Sequence, residues 1–273
     1  MKIIHFYSSG ISNINGVTNV VERISLHQKE LGHEVLAVNI KEKPSIREIL
    51  NFHPDIVSFN GLYYLGFIKI AWVLYLRHIP YIIVFHGGAS KDILKKNTLK
   101  KSIAKFLFFN QFVHNARKVV YLNQGELDNS IYRAINSSSI IIPNGVDLHP
   151  IEIFERHVRT NIMFFSRIDI YGKGLDIYAE AIKKIAQSEI ANSVFFTFYG
   201  HLYESSKSYF NQFDTNLVEY RGTVFGNDKS QAFADADIVI LPSRSEGMPL
   251  TILEAFSYGL PVIVTPVEYL DTA

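Results

Sequence analysis

Short apolar runs alternate with helix-like stretches along the whole chain, and this alternation limits the possible folds more than any other feature. The first set of runs covers 2–6, 34–40, 55–59, 81–85, 118–122 and 139–142. The second covers 161–166, 194–199, 217–220, 237–241 and 261–265. Most are rich in Val, Ile, Phe and Tyr. Near-continuous apolarity is the pattern of strands covered on both faces. Such strands separated by helices predict parallel, doubly wound sheets. Val17, Val20, Val21, Ile24 and Leu31 recur at helical spacing and predict a first helix that stops at Gly32. Leu175, Tyr178, Ile182 and Ile185 predict another helix, opening after Gly174.

Two successive α/β units are expected. The turn-forming run Pro143-Asn144-Gly145-Val146-Asp147 and the polar stretch 149–159 divide the chain into domains 1–150 and 151–273. A 273-residue chain that is 48% apolar is long enough for two buried cores. A net charge of +1 argues against wholesale nucleic-acid binding. The absence of cysteine excludes disulfides, thiolate metal sites and cysteine nucleophiles, and fits a cytoplasmic protein. The start Met1-Lys2-Ile3-Ile4-His5-Phe6 turns polar too soon for a signal peptide. The stretch 62–76 is shorter than a membrane span and contains Lys69, so a buried helix is the expectation there.

The strongest local motif runs from Ser243 to Ala255 and follows the apolar run 237–241. Pro249 suits the first turn of a helix and Gly259 its end, so Glu246 falls in a strand-to-helix loop and Glu254 inside the helix. Glu254 sits in an apolar stretch, where a carboxylate needs a partner. Sugar hydroxyls or a nearby base would each serve, and the free N–H groups of the loop suit an anion. The second motif is Ser166-Arg167-Ile168-Asp169-Ile170-Tyr171-Gly172-Lys173-Gly174, at the carboxyl end of a strand, where open α/β sheets bind ligands. Arg167 and Lys173 are either two solvated loop cations or a pair that reaches one phosphate group. Asp235-Ala236-Asp237 has the spacing of a metal-binding pair but precedes a strand and reads as turn chemistry.

Taken in order, Arg167, Lys173, Glu246, the Gly247-Met248-Pro249-Leu250 loop and Glu254 resemble the donor site of the retaining GT-B glycosyltransferases of family 4, the glycosyl transferases of group 1. The resemblance extends over essentially the whole chain. It implies two Rossmann-like domains facing a cleft, the second incomplete at its C-terminal end. It implies a retaining, metal-independent hexosyltransferase, with a nucleotide sugar as substrate and no further cofactor, and UDP as the favoured nucleotide. Arg167 and Lys173 would hold the diphosphate. Glu254 would bind the ribose, and Glu246 with Gly247, Met248, Pro249 and Leu250 would contact the donor sugar and phosphate.

The first domain carries two further matches. Phe85-His86-Gly87-Gly88 ends a strand, and the resemblance places His86 near donor sugar and acceptor. The loop before Gly16 resembles the family's glycine-rich loop, but Asn15 stands where the first of two adjacent glycines is usual. The segment 91–118 is basic, with aromatic residues interleaved. It reads either as a helix with a solvated basic face or as a peripheral membrane contact that admits a lipid-linked acceptor. Bacterial cell-surface polysaccharide or glycolipid synthesis is the implied setting, with a saccharide or lipid-linked acceptor and no nucleic acid. A catalytically inactive remnant and a sugar-nucleotide 2-epimerase are the alternative readings.

Overall fold

A computed structural model describes residues 1–8, 16–89, 108–149, 158–244 and 246–266. It divides into two compact units, Met1–Asn144 and Gly145–Glu268. The described part of each is a parallel sheet with helices on both faces.

The first unit contains strands β1 (Lys2–Tyr7), β2 (Glu34–Asn39), β3 (Ile56–Asn60), β4 (Tyr81–Val84), β5 (Lys118–Tyr121) and β6 (Ser139–Ile141) in the order β2-β1-β3-β4-β5-β6. All the pairings are parallel. On one face, Ile4, Phe6, Val57, Phe59, Ile83, Val119 and Tyr121 join Phe67 and Leu74 of helix α3 (Leu65–Leu76) and Phe112 of α4 (Asn110–His114) in one core. Phe59 is its hub, with ring contacts to Phe6, Phe67, Tyr81 and Phe112 at 5.0–5.5 Å. Helix α1 (Gly16–Glu30) packs against β1 and β2, and β1 also buries His5, whose Nε2 lies 2.8 Å from Gln28 Oε1. Two short helices complete the set used below: α2 (Ile46–Asn51) and α5 (Gln124–Asp128).

The second unit contains β7 (Thr160–Phe165), β8 (Val194–Tyr199), β9 (Val218–Tyr220), β10 (Ile238–Leu241) and β11 (Val262–Val264), in the order β11-β10-β7-β8-β9 and again parallel throughout. Helix α6 (Leu175–Ala186) lays Tyr178 against Phe164 and Phe198. Helix α7 (Lys207–Phe210) brings Phe210 to the edge of Phe198. Met163, next to Phe164 on β7, points to the opposite core, with Phe233 of α8 (Gly226–Ala234) and Ala255 of α9 (Leu250–Ser257). Adjacent residues buried on opposite faces account for the unbroken apolar runs.

Each expected strand forms within a residue or two of the range read from the sequence. Gly32 adopts φ +83° after the first helix and Gly259 φ +71° after α9, as the C-terminal stops require. Asp237 caps the start of β7 by accepting from the Asn161 N–H at 2.7 Å, and Asn161 Nδ2 donates to Asp235 O at 2.7 Å, so this pair serves turn chemistry.

Two expectations need correction. The apolar spacing that predicts α1 is buried only in part: Val20 and Val21 carry the burial, while Ile24 is 40% exposed and Leu31, just past the helix end, 76%. Helix α3 is apolar all round, yet only one side of it meets the sheet. Phe67, Ile70, Ala71 and Leu74 are buried, while Leu65, Trp72 and Leu76 remain exposed. In the basic segment, residues 91–107 lie outside the described residues. Phe109 and Phe112 at its described end turn into the core.

Phe59→Ala removes the ring at which four others meet. Truncating a buried Phe costs about 3–5 kcal/mol, and equilibrium urea unfolding of the variant is expected to show a loss in that range.

Candidate functional site

In the second unit, the connection leaving β7 runs to β8 on one side, while β10 lies on its other side. The sheet order therefore has its switch point between β7 and β10, and the loops leaving their carboxyl ends bound a crevice there. Gly174 draws these two loops together. It holds φ +69°, and a Cβ on it would lie 1.9 Å from the Pro242 carbonyl oxygen. Gly200, at the end of β8, is as close to the Ser166 carbonyl oxygen, again 1.9 Å from where its Cβ would be. Side chains brace the same contact. Arg244 Nη1 and Nη2 donate to the two carboxylate oxygens of Asp176 at 2.7 Å each. Its guanidinium also lies over the Tyr171 ring. Arg244 holds the Asp176 carboxyl below its ordinary range, chiefly through these hydrogen bonds.

Within this frame, Lys173 from the β7 loop forms an ion pair with Glu246 Oε1 from the β10 loop. Ser243 Oγ donates to the same oxygen at 2.5 Å. Both charged side chains are largely shielded, at 15% and 10% side-chain exposure, so the pair is stronger than a surface ion pair. Lys173 has three N–H donors, and the pair uses one. Arg167, in contrast, is exposed and its guanidinium makes no hydrogen bond or ion pair among the described residues. Glu254, 8% exposed on α9, accepts from Lys229 Nζ of α8 at 2.5 Å. The Lys229 ammonium also sits 5.7 Å from the centre of the Phe165 ring. The partner that the buried carboxylate needed is thus a lysine on another helix. Its only sequence signal was a lone cation one turn before Phe233, and the sequence reading missed it. Pro249 and Leu250 stand at the start of α9, where Thr251 Oγ1 ties the helix to Phe165 O at 2.8 Å. Gly247 and Met248 are half-buried in the loop before it.

The carboxyl edge of the first sheet has its switch point between β1 and β3. The loop 9–15 that leaves β1 lies outside the described residues, and Gly16 opens α1 directly after it. His86 follows β4 with φ +50°, a left-handed conformation that costs a residue with a Cβ about 1 kcal/mol or more. Its Nε2 lies 3.2 Å from Asn60 Oδ1, while Asn60 Nδ2 faces the Phe6 carbonyl oxygen at 3.3 Å. That orientation makes Oδ1 the acceptor, so Nε2 carries the proton and Nδ1 keeps its lone pair. Burial lowers the His86 pKa to about 4, so the ring is neutral at pH 7. Glu126 locks the turn from below: its Oε1 accepts from the Gly87 N–H at 2.5 Å and its Oε2 from the Leu122 N–H at 2.6 Å. Burial pushes the Glu126 carboxyl up, and these two bonds oppose that shift. Asn123, the N-cap of α5, accepts from the Glu126 N–H at 2.8 Å and fixes the carboxylate's starting point. The sequence reading missed Glu126. The Asn-x-x-Glu spacing at a helix start was a signal for it.

Comparison with known proteins decides the family. Residues 37–149 match the model for Glycosyltransferase Family 4, and residues 159–272 match that for Glycosyl transferases group 1. The chain belongs to this glycosyltransferase family. The sulfoquinovosyl transferase of Arabidopsis thaliana is 25% identical to it over 238 residues, covering 80% of this chain and 44% of that protein. The UDP-Gal:alpha-D-GlcNAc-diphosphoundecaprenol alpha-1,3-galactosyltransferase of Escherichia coli is 34% identical over 142 residues, covering 47% and 36%. The chain thus spans less than half the length of these two relatives. Sucrose-phosphate synthase from Thermosynechococcus elongatus shares the fold, with a TM-score of 0.69 at 13% identity over 97% of this chain and 81% of that one. Two Rossmann-like domains of GT-B type are what this likeness shows. Among the described residues, no group of three or more His, Asp or Glu is placed to hold a metal ion.

Two outcomes are expected. Gly174→Ala drives a methyl into the Pro242 carbonyl and forces a left-handed residue, which places it among the substitutions that cost about 3 kcal/mol or more; thermal unfolding of the variant measures it. His86 has a folded pKa below its ordinary 6.5. Its contribution to stability is therefore complete above that pH and is lost as pH falls toward about 4, amounting to about 2–3 kcal/mol. His86→Asn, which tolerates the same dihedrals, is expected to flatten that part of the stability profile in urea titrations between pH 4 and 7.

Proposed function

We propose that this chain transfers a hexosyl group from a nucleoside diphosphate sugar, UDP-linked by preference, to an acceptor hydroxyl with retention of anomeric configuration. The observation that carries this reading is the shielded Lys173–Glu246 ion pair that joins the β7 and β10 loops at the switch point, with Arg167 exposed on the same β7 loop. Arg167 and two free N–H donors of Lys173 receive the diphosphate and offset its charge as the bond from the anomeric carbon to the diphosphate oxygen breaks. These cations take the role that a divalent metal fills elsewhere, which is the basis for proposing metal-independent transfer. Glu254 accepts from the ribose hydroxyls, with the Lys229 ammonium paired to one of its oxygens. Glu246, fixed through Oε1 by Lys173 and Ser243, offers its other oxygen to a donor-sugar hydroxyl. Gly247, Met248, Pro249 and Leu250 line the contact with the sugar and phosphate, where the start of α9 at Leu250 favours an anion.

His86 belongs to the acceptor side of the reaction. A neutral imidazole with a free Nδ1 lone pair accepts a hydrogen bond from a hydroxyl. Gly16 and the loop before it allow close approach of the donor phosphate. The acceptor is a saccharide or lipid-linked saccharide in cell-surface polysaccharide or glycolipid synthesis, and the enzyme works at the cytoplasmic side of a bacterial membrane, with residues 91–118 as one candidate contact. Support for this setting comes from the relatives: one is a sulfoquinovosyl transferase, and another acts on a diphosphoundecaprenol-linked sugar. No helix among the described residues is long and apolar enough to cross a membrane. Neither the inactive remnant nor the 2-epimerase is favoured by the family match.

Incubation with UDP-sugars and a panel of glycoside acceptors tests the proposal. The expected product carries the donor's anomeric configuration by proton NMR, and forms undiminished in EDTA. Arg167→Ala is expected to slow it by two orders of magnitude or more, the usual effect of losing one charge-stabilising group. An inverted product, or a rate abolished by EDTA, would refute the retaining, metal-independent assignment.

A further inference from the structure

Helix α3 presents a surface that the transfer reaction does not use. Leu65, Lys69, Trp72 and Leu76 recur at spacings of four, three and four, so they form one stripe along the outer side of the helix. Leu65 is 67%, Trp72 65% and Leu76 55% exposed, with Tyr75 beside them at 54%. A helix apolar on every side normally lies inside a protein or in lipid, yet no described element covers this side. The helix itself carries cations and no acid. Lys69 and Arg77 are exposed on it, and the sequence has no acidic residue between Asp55 and Asp92. Exposed aliphatic residues, a Trp and a Tyr, and the cations Lys69 and Arg77 on the same helix match the chemistry of an anionic lipid interface. The helix is also well placed. It follows β3, whose exit at Gly61 is bonded to Val84 O at 2.8 Å, so its first turn stands at the carboxyl edge that bears Asn60 and His86.

We propose that the outer face of α3 docks on the surface of an anionic lipid bilayer. The docking stands on these surface residues alone. Its use, the delivery of a lipid-linked acceptor to the His86 edge, rests on the function proposed above. The face lies parallel to the membrane plane, with Leu65, Trp72, Tyr75 and Leu76 in the headgroup boundary and Lys69 and Arg77 against phosphate groups.

Trp72 is the one tryptophan of the chain, and so is a built-in probe. The purified chain is mixed with vesicles of phosphatidylglycerol and phosphatidylcholine, with a fraction of the lipid brominated. The expected result is cosedimentation, a blue shift of tryptophan emission and quenching by the brominated chains. Leu76→Glu, an exposed change that keeps the probe, is expected to lower the partition coefficient at least tenfold with an unchanged melting temperature. Lys69→Glu is expected to lower it several-fold on anionic vesicles. The proposal is overturned if the chain stays in solution, if it binds with unshifted Trp72 emission (which would place the contact elsewhere), or if Leu76→Glu binds as well as the parent. It is also overturned if the parent is a dimer without lipid and Leu76→Glu makes it monomeric, since a second copy then covers the face. Nucleotide binding by the same variants separates the two proposals: loss of vesicle binding with nucleotide binding intact concerns α3 alone.

Discussion

Gly174 lies so close to the Pro242 carbonyl that no side chain fits between them, and the arrangement of the second unit follows from that approach. The loops after β7 and β10 diverge in a doubly wound sheet, because their connections leave on different sides. A residue with a Cβ at 174 would hold them apart. Glycine allows contact, and Lys173, the residue just before it, then meets Glu246 across the gap. The Arg244 fork on Asp176 and the Thr251 bond to Phe165 O hold the two walls in register. The ion pair is a consequence of this backbone packing.

Charge around the β7/β10 switch point is distributed unevenly. Glu246 and Glu254 are each matched by a lysine, so neither is left as an isolated buried charge. Arg167 is the cation with no partner among the described residues. The first unit manages its polar groups differently. Glu126 spends its carboxylate on two backbone N–H groups and holds His86 in a left-handed turn. Burial keeps that histidine neutral. One unit thus offers positive charge and the other a neutral hydrogen-bonding ring.

Much of this was legible in the sequence because strands of a parallel sheet announce themselves. Val194–Tyr199 is apolar on both faces, and such a run has few other places to go. The motifs at 166–174 and 243–255 were legible because they sit directly after such strands. What escaped was what depends on the third dimension. Lys229 is 25 positions before Glu254 and reaches it because α8 and α9 pack on the same side of β7. Glu126 is 39 positions from Gly87, and it lies beneath it because β4 and β5 are neighbours. Helix α3 escaped for another reason. Apolarity on all sides says that a helix meets something, but not whether sheet or lipid is the partner.

Calorimetric titration of this chain with UDP and GDP, beside Arg167→Ala and Glu254→Ala, tests the central claim most directly. The account predicts saturable binding of one nucleoside diphosphate at a single site, weakened at least tenfold by each substitution. Undiminished affinity in both variants, or no binding by a chain shown to be folded, would contradict the assignment of the β7/β10 crevice as the donor site.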